Sequence, residues 1–444
     1  AMLDGMVCLT SCDKTPPGHM MAAGRLDIPT ILVIGGYQAS GMIGNEHVDL
    51  EDLWSGTIAT RFGKPFPHDE KEMIRQAVRG PGVCAGMATA NTMHSVVEAL
   101  GMCLPGSAPV RANSEKMLDA AYRSGTRIVE MVMEELTPRQ IMTPKAFRNA
   151  VATVLAISGS INAIKHLQAI AVEAEVDVDI FALWDEIGRR IPVLSAVRPN
   201  GEVRIEEFED AGAAGAILKQ IRSLIDTDAL TCTGKTLADN LEQIEIINPD
   251  IIRPLDRPIS DGPSIAILKG SLAPESAVVK LGIRDGSRPE FFEGPARVFE
   301  VTADALNAIE KKEINAGDAI ILRGQGLKGG PAMGGGGSIV LFAIDAAGIA
   351  RETAFITDGQ LSGLCLKGLT VAEVAPEAAV GGPIGLIHDG DIVRIDVATR
   401  SIELLVDAET LAQRQTKGPK KAHGYLGIYQ RDVQPMSTGA VLVD

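Results

Sequence analysis

The sequence is poor in aromatics: 2 Trp, 4 Tyr and 10 Phe among 444 residues. It also lacks an excess of basic charge. Lys and Arg number 42 against 57 Asp and Glu, for a net charge of -15. That balance excludes an electrostatic nucleic-acid binder, because neutralising phosphates takes clustered Lys and Arg. No apolar run is long enough to span a bilayer. No basic stretch ahead of an apolar run marks a secretory signal, so the expected location is cytoplasmic. Cysteine is scarce and scattered: Cys8, Cys12, Cys84, Cys103, Cys232 and Cys365 form no dense disulfide framework. In such a chain the expectation is buried thiols or metal ligands. Cys8 and Cys12 lie four residues apart, but no second Cys or His pair follows at the spacing of a zinc site.

What is present is glycine, alanine and aliphatic residues. Apolar residues make up 45% of the chain and Gly contributes 47 residues. That composition fits a folded α/β protein rather than a disordered one. The length favours two domains. In the first half, "IPTILVIGG" reads as a buried strand running into a Gly-Gly turn. "ANTMHSVVEALGMCL" and "FRNAVATVLAISGSINAIKHLQAIAVEA" carry helical spacing, the second broken at Ser-Gly-Ser. Strands alternating with helices imply an α/β domain with a largely parallel sheet. After about Arg257 the pattern changes. "SIAILKGSLAP", "SAVVKL", "ARVFEVT", "DAIILRG", "GSIVLFAID", "TAFITDG" and "DIVRIDVATRSIELLV" read as strands of a β-barrel-type domain. The stretch "INPDIIRPLDRPISDGP", with four prolines, reads as the linker. The expected domains are therefore 1–257 and 258–444.

Four short segments carry candidate chemistry. In Cys12-Asp13-Lys14, a thiol is followed directly by a carboxylate and an amine. The bland reading is a buried thiol beside a surface salt pair. The functional reading is a soft ligand and a hard ligand, which prefer two different metals. In "RGPGVCAGMATANTM", Cys84 sits in a glycine-rich loop ahead of a helix, either an ordinary loop with a buried Cys or a site for negative charge. "RGQGLKGGPAMGGGGS" is glycine-rich but lacks phosphate-loop spacing, so a substrate-facing loop or flexible turn fits better. In "TDGQLSG", Ser362 follows a strand without a nucleophile-elbow pattern.

These segments stand in the order and spacing of a known family. The words "CDKTPPGHMMAA", "PGVCAGMATANTM", "SGSINA", "TGKTLADNL", "IRPLDRPI", "GSLAPE", "GPARVFE", "LKGGPAM", "TDGQLSG" and "PEAAVGGPIGLIHDGDIVRID" span nearly the whole chain. In them the sequence resembles the iron–sulfur dehydratases of dihydroxy acids, 6-phosphogluconate and sugar acids such as arabinonate and xylonate. The resemblance implies a hydro-lyase that converts a 2,3-dihydroxy acid, branched-chain or sugar acid, to a 2-keto acid. It implies an α/β amino-terminal domain, a β-barrel carboxy-terminal domain carrying the catalytic Ser, and a homodimer or homotetramer. It implies a [2Fe–2S] cluster with Cys12 and Cys84 among its ligands. Asp13 and Lys14, the latter as a carbamate, would hold Mg²⁺, and Ser362 would be the catalytic base. Its partner would be a small dihydroxy or sugar acid, with no nucleic acid and no membrane.

Several positions depart from the family pattern. The family's front segment, with a further cluster Cys and a Mg²⁺-binding Asp, has no counterpart in this sequence. Two cysteines alone would hold such a cluster poorly, so weak or absent activity is expected of the chain as it stands. Cys8 lies on the predicted strand leading into Cys12 and reads as a core residue. Gly335 stands where the family carries a Mg²⁺-binding Glu, and Ile161 where it carries Thr. The segment "SGLCLKGLTVAEVAPEA" lacks the family's His, and Glu373, which stands near that place, could supply a carboxylate. These departures motivate an alternative reading: a cluster-free family member that serves as a binding or assembly subunit.

Overall fold

The computed structural model describes residues 2–283, 286, 288–330, 336–362 and 368–442. The chain divides into two compact units, one of Ala1–Leu50 with Glu70–Ser264, the other of Glu51–Asp69 with Ile265–Asp444.

The first unit opens with strand β1 (Met6–Thr10), helix Thr15–Leu26 and strand β2 (Thr30–Ile34). The strands pair in parallel, Met6 opposite Thr30 through Thr10 opposite Ile34. Every residue of β2 is buried, as the β-branched run "TILVI" requires, whereas β1 buries Cys8 and Thr10 and exposes Val7 and Leu9. A short antiparallel hairpin, β3 (Gly41–Ile43) and β4 (Glu46–Val48), follows. The rest of the unit is mainly helical. Helices Thr89–Ala99, Pro144–Ala156 and Asn162–Glu173 are buried over almost their whole surface.

The expected α/β character holds, but among the described residues the parallel sheet has two strands and is not a large one. The reason lies in the apolar runs. A helix buried on all sides loses its polar stripe, and strand and helix then leave similar marks in the sequence. The break read at Ser-Gly-Ser does separate helices Pro144–Ala156 and Asn162–Glu173.

One buried charge makes this unit's stability depend on pH. Glu98, near the end of helix Thr89–Ala99, accepts N–H bonds from Gly106 (2.8 Å) and Ala108 (2.9 Å). Burial nevertheless pushes its carboxyl up from 4.5 to about 7. The folded chain thus holds a proton that the unfolded chain releases. That stabilisation is complete below the unfolded value and is lost as pH rises through the folded one. Over the window from 4.5 to 7 the loss amounts to about 3 kcal/mol. Urea unfolding at about pH 5 and about pH 7.5 should show the fall in the native protein and a flatter profile in Glu98→Gln. Equal slopes in the two proteins would exclude Glu98 as the cause.

In the second unit, eight strands form one sheet in the order β12-β11-β7-β8-β9-β10-β6-β5. They are β5 (Ile265–Leu268), β6 (Ser276–Lys280), β7 (Phe291–Phe299), β8 (Ala319–Leu322), β9 (Ala354–Thr357), β10 (Leu369–Ala375), β11 (Ile392–Asp396) and β12 (Ser401–Leu404). The pairs β7–β8, β8–β9 and β9–β10 are parallel and the others antiparallel. The two edge strands meet just past β5. There Lys269 donates to the Arg400 carbonyl (3.0 Å), and its own carbonyl accepts from Ile402 (3.1 Å). The sheet therefore curls nearly into a barrel, around a core that includes Leu268, Ile321, Ile356, Val371, Val393 and Ile395.

Two elements of this unit differ from expectation. "GSIVLFAID" is not a strand; it lies in helix Gly336–Ala347. Parallel neighbours β8 and β9 need a crossover between them, and this apolar helix supplies it. Helix Thr302–Glu310 does the same between β7 and β8. Strand β10, "LTVAEVA", was not expected and is fully buried.

Candidate active site

Cys12, Asp13 and Lys14 form the turn between β1 and helix Thr15–Leu26. Thr15 shapes that turn. Its Oγ1 accepts the Ser11 N–H at 2.9 Å and donates to the Cys12 carbonyl at 3.2 Å. Pro16 and Pro17 then occupy the first helical turn, where a missing N–H costs nothing. Cys12 and Lys14 are exposed and Asp13 is half-buried. The Lys14 ammonium donates to His166 Nε2 at 3.2 Å. Burial, together with the nearby cations Lys14 and Lys165, holds the His166 ring well below its usual range, so it stays neutral.

Cys84 sits on the loop ahead of helix Thr89–Ala99. The loop is pinned on both sides: Gln38 N–H bonds the Val83 carbonyl (2.9 Å), and Met87 N–H bonds the Arg198 carbonyl (2.6 Å). Gly82 has φ +115, and a Cβ there would run into the backbone of Tyr37 and Gln38. Asn91 Nδ2 donates to the carbonyls of Cys84 (2.9 Å) and Gly86 (2.7 Å). Burial raises both thiols, and Cys84 reaches about 11. After burial, the largest influence raising Cys84 is Cys12, with Asp49 and Asp13 adding to it. Cys12, Asp13 and Asp49 thus all lie in the electrostatic neighbourhood of Cys84.

Asp49 follows the β3–β4 hairpin and is buried. His47 Nδ1 lies 3.7 Å and Arg198 Nε 3.5 Å from its carboxylate. Sequence reasoning missed His47, Asp49, His166 and Arg198, which carry no motif spacing. It also passed over Asn91 and His94, although both lie inside the "ANTMH" stretch. Polar residues three apart in an apolar helix were the available signal.

Ser362 belongs to the second unit, a few residues past β9, and is half-buried. Its N–H donates to Ser338 Oγ (3.0 Å) on helix Gly336–Ala347. Two carboxylates, Asp358 buried and Glu377 half-buried, organise the neighbouring loops. Asp358 accepts N–H bonds from Gly324 (3.0 Å), Gln325 (2.9 Å) and Ala378 (2.9 Å). Glu377 accepts from Lys328 (2.8 Å) and Gly329 (2.9 Å). Burial raises both carboxyls above their usual values. Lys328, Asp358, Glu373, Glu377 and Arg431 line a cavity of about 240 Å³. Glu373 is almost fully buried and has φ +54, where the β10–β6 register slips. Gly335 and Cys365 lie outside the described residues.

Residues 1–240 match the profile of the dihydroxy-acid/6-phosphogluconate dehydratase N-terminal region, and residues 250–440 that of its C-terminal region. The chain belongs to the dihydroxy-acid/6-phosphogluconate dehydratase family. Relatives include the dihydroxy-acid dehydratase 1 of Methanosarcina acetivorans, 41% identical over 99% of this chain and 80% of its own length. The dihydroxy-acid dehydratase of Ignicoccus hospitalis is 40% identical over 94% of this chain and 75% of its own. That of Pyrococcus abyssi is 40% identical over 99% and 80%. Cys8, Cys103 and Cys232 are buried, and burial raises all three. Among the described residues no helix is long and apolar enough to cross a membrane.

Proposed function

We propose that the chain is a hydro-lyase that dehydrates a 2,3-dihydroxy acid, a branched-chain acid or a sugar acid, to a 2-keto acid. The observation that carries this reading is the meeting of Cys12 and Cys84. The two are far apart in sequence, yet Cys12 lies close enough to raise the Cys84 thiol, as do Asp49 and Asp13. That donor set fits two kinds of metal. The thiols suit the soft iron of a [2Fe–2S] cluster and the carboxylate of Asp13 suits Mg²⁺. When bound, these groups would supply Lewis acidity at the departing C3 hydroxyl and charge neutralisation at the substrate carboxylate.

The chain's own residues would do the rest. Cys12 and Cys84 would give up their protons on loading, and the glycine-rich loop would let the backbone come close. Asp13 and Lys14 would hold the harder ion, Lys14 as a carbamate. The setting of Lys14 supports that conversion. It shares a neutral His166 with a second cation, Lys165, and a carbamate would replace one of the two positive charges with an anion. Ser362 would take the C2 proton, and the enol left after loss of the C3 hydroxyl would become the 2-keto acid. A cluster-free binding subunit, the other reading, has no observation in its favour.

The test is anaerobic loading with iron and sulfide, followed by assay on a panel of branched-chain dihydroxy acids and aldonates. The expected result is visible absorption together with slow formation of 2-keto acid from at least one member. Absence of both iron and turnover across the panel would overturn the reading.

A further inference from the structure

Two of the polar side chains on the buried helix Thr89–Ala99 reach the two cysteine loops. Asn91 and His94 are three residues apart, hence on one face, and both are fully buried. Asn91 Nδ2 donates to the Cys84 carbonyl (2.9 Å) and to the Gly86 carbonyl (2.7 Å). One turn later, His94 Nε2 bonds the carbonyl of Ser11, the residue before Cys12. A carbonyl can only accept, so this ring nitrogen is the donor. His94 Nδ1 faces Asn91 Oδ1 at 3.2 Å. A ring protonated on both nitrogens satisfies both oxygens; a neutral ring satisfies Ser11 alone. The bond to Ser11 stands in either state.

We propose that Asn91 and His94 are a positioning pair that sets the separation of the Cys12 and Cys84 sulfurs. The bonds they make to the two loops go to backbone carbonyls. Each residue fixes the backbone that presents one of the sulfurs. Both thiols sit on loops, and loops alone hold ligands less precisely than helices and strands do. Here a single rigid helix reaches both loops within one turn, so the spacing of the thiolates becomes a property of that helix. Backbone carbonyls left without these donors would also be buried and unsatisfied, and the loops would shift to satisfy them. The inference rests on the reading of Cys12 and Cys84 as iron ligands.

The test compares the full chain with Asn91→Asp, His94→Leu, His94→Gln and Ser95→Ala, each loaded anaerobically with iron and sulfide. Asn91→Asp keeps the shape and removes the donor. His94→Leu removes the donor and keeps the bulk, while His94→Gln restores a donor. Ser95→Ala alters the same buried helix, where Ser95 bonds only the Asn91 carbonyl (3.0 Å). The first two variants should keep their far-ultraviolet circular dichroism but lose iron to a chelator about ten- to hundredfold faster, with a changed visible dichroism. His94→Gln should recover part of the loss, and Ser95→Ala should match the native protein. A second readout needs no metal. Dibromobimane fluoresces only after joining two thiols, and it should report a Cys12–Cys84 link that Cys84→Ser abolishes and Asn91→Asp and His94→Leu slow. Native rates of iron loss in both variants would overturn the proposal, as would equal damage from Ser95→Ala or collapse of the fold in both. A native protein that takes up no iron would sink the metal reading alone, and the bimane arm would then decide the positioning by itself.

Discussion

Replacing Cys84 with serine is expected to remove the visible absorption of the iron-loaded protein and to lower its dehydratase activity more than about a hundredfold. The argument runs from softness and from protons. A thiolate binds iron covalently, whereas a serine hydroxyl is harder and does not ionise near neutral pH. The neighbours that act on Cys84 offer no replacement of the same kind, since Asp13 and Asp49 are oxygen donors and Cys12 would itself be a ligand in the proposed site. Stability should change little. Cys84 is half-buried and its carbonyl, not its sulfur, carries the bond to Asn91, so the cost of the change is about 1 kcal/mol or less. The informative control is Cys103→Ser. Cys103 is 2% exposed and sits beside Glu98 rather than Cys12. That variant should lower the melting temperature and leave the iron in place. Full colour in Cys84→Ser, or loss of colour in Cys103→Ser at a temperature where it is folded, would refute the assignment of Cys84.

Much of this site could be read from the sequence because its key residues are adjacent. Cys12, Asp13 and Lys14 are consecutive, and Cys84 announces itself by its glycine-rich loop. The thiols need no tertiary information to be noticed, only to be brought together. Asp49 is the opposite case. It enters after a hairpin of two three-residue strands, too short to leave a period-2 pattern, and its partner Arg198 comes from a distant loop. His166 likewise meets Lys14 across the packing of helix Asn162–Glu173 on helix Thr15–Leu26, which no local pattern encodes. In the fold, the ambiguous segments were those buried on every side. "GSIVLFAID" looks β-branched enough for a strand, and only the parallel pairing of β8 and β9 demands a helix there. β10 was hidden for another reason: Glu373 and its register slip interrupt the run at the position where the chain turns a carboxylate towards the cavity.

Ser362→Ala is expected to leave the colour and iron content of the loaded protein unchanged and to lower kcat by about 10²- to 10⁴-fold, the range of a lost general base. Its backbone N–H donates to Ser338 Oγ, a bond that removing the hydroxyl leaves in place. An unperturbed serine cannot act as a base near neutral pH; an adjacent cation has to favour the alkoxide. The variant therefore separates binding from proton abstraction. KM should move little, while release of deuterium from C2 of a labelled substrate should stop along with turnover. Ser338→Ala supplies the contrast, because it keeps the Ser362 hydroxyl but frees its backbone. It should lower kcat less, and the loss should come from misplacement rather than from absence of the base. If Ser362→Ala keeps kcat within about threefold of the native enzyme, another group takes the C2 proton. Of the buried carboxylates that line the cavity, Glu373 is then the first to test. Its φ of +54 marks a backbone held out of the regular strand.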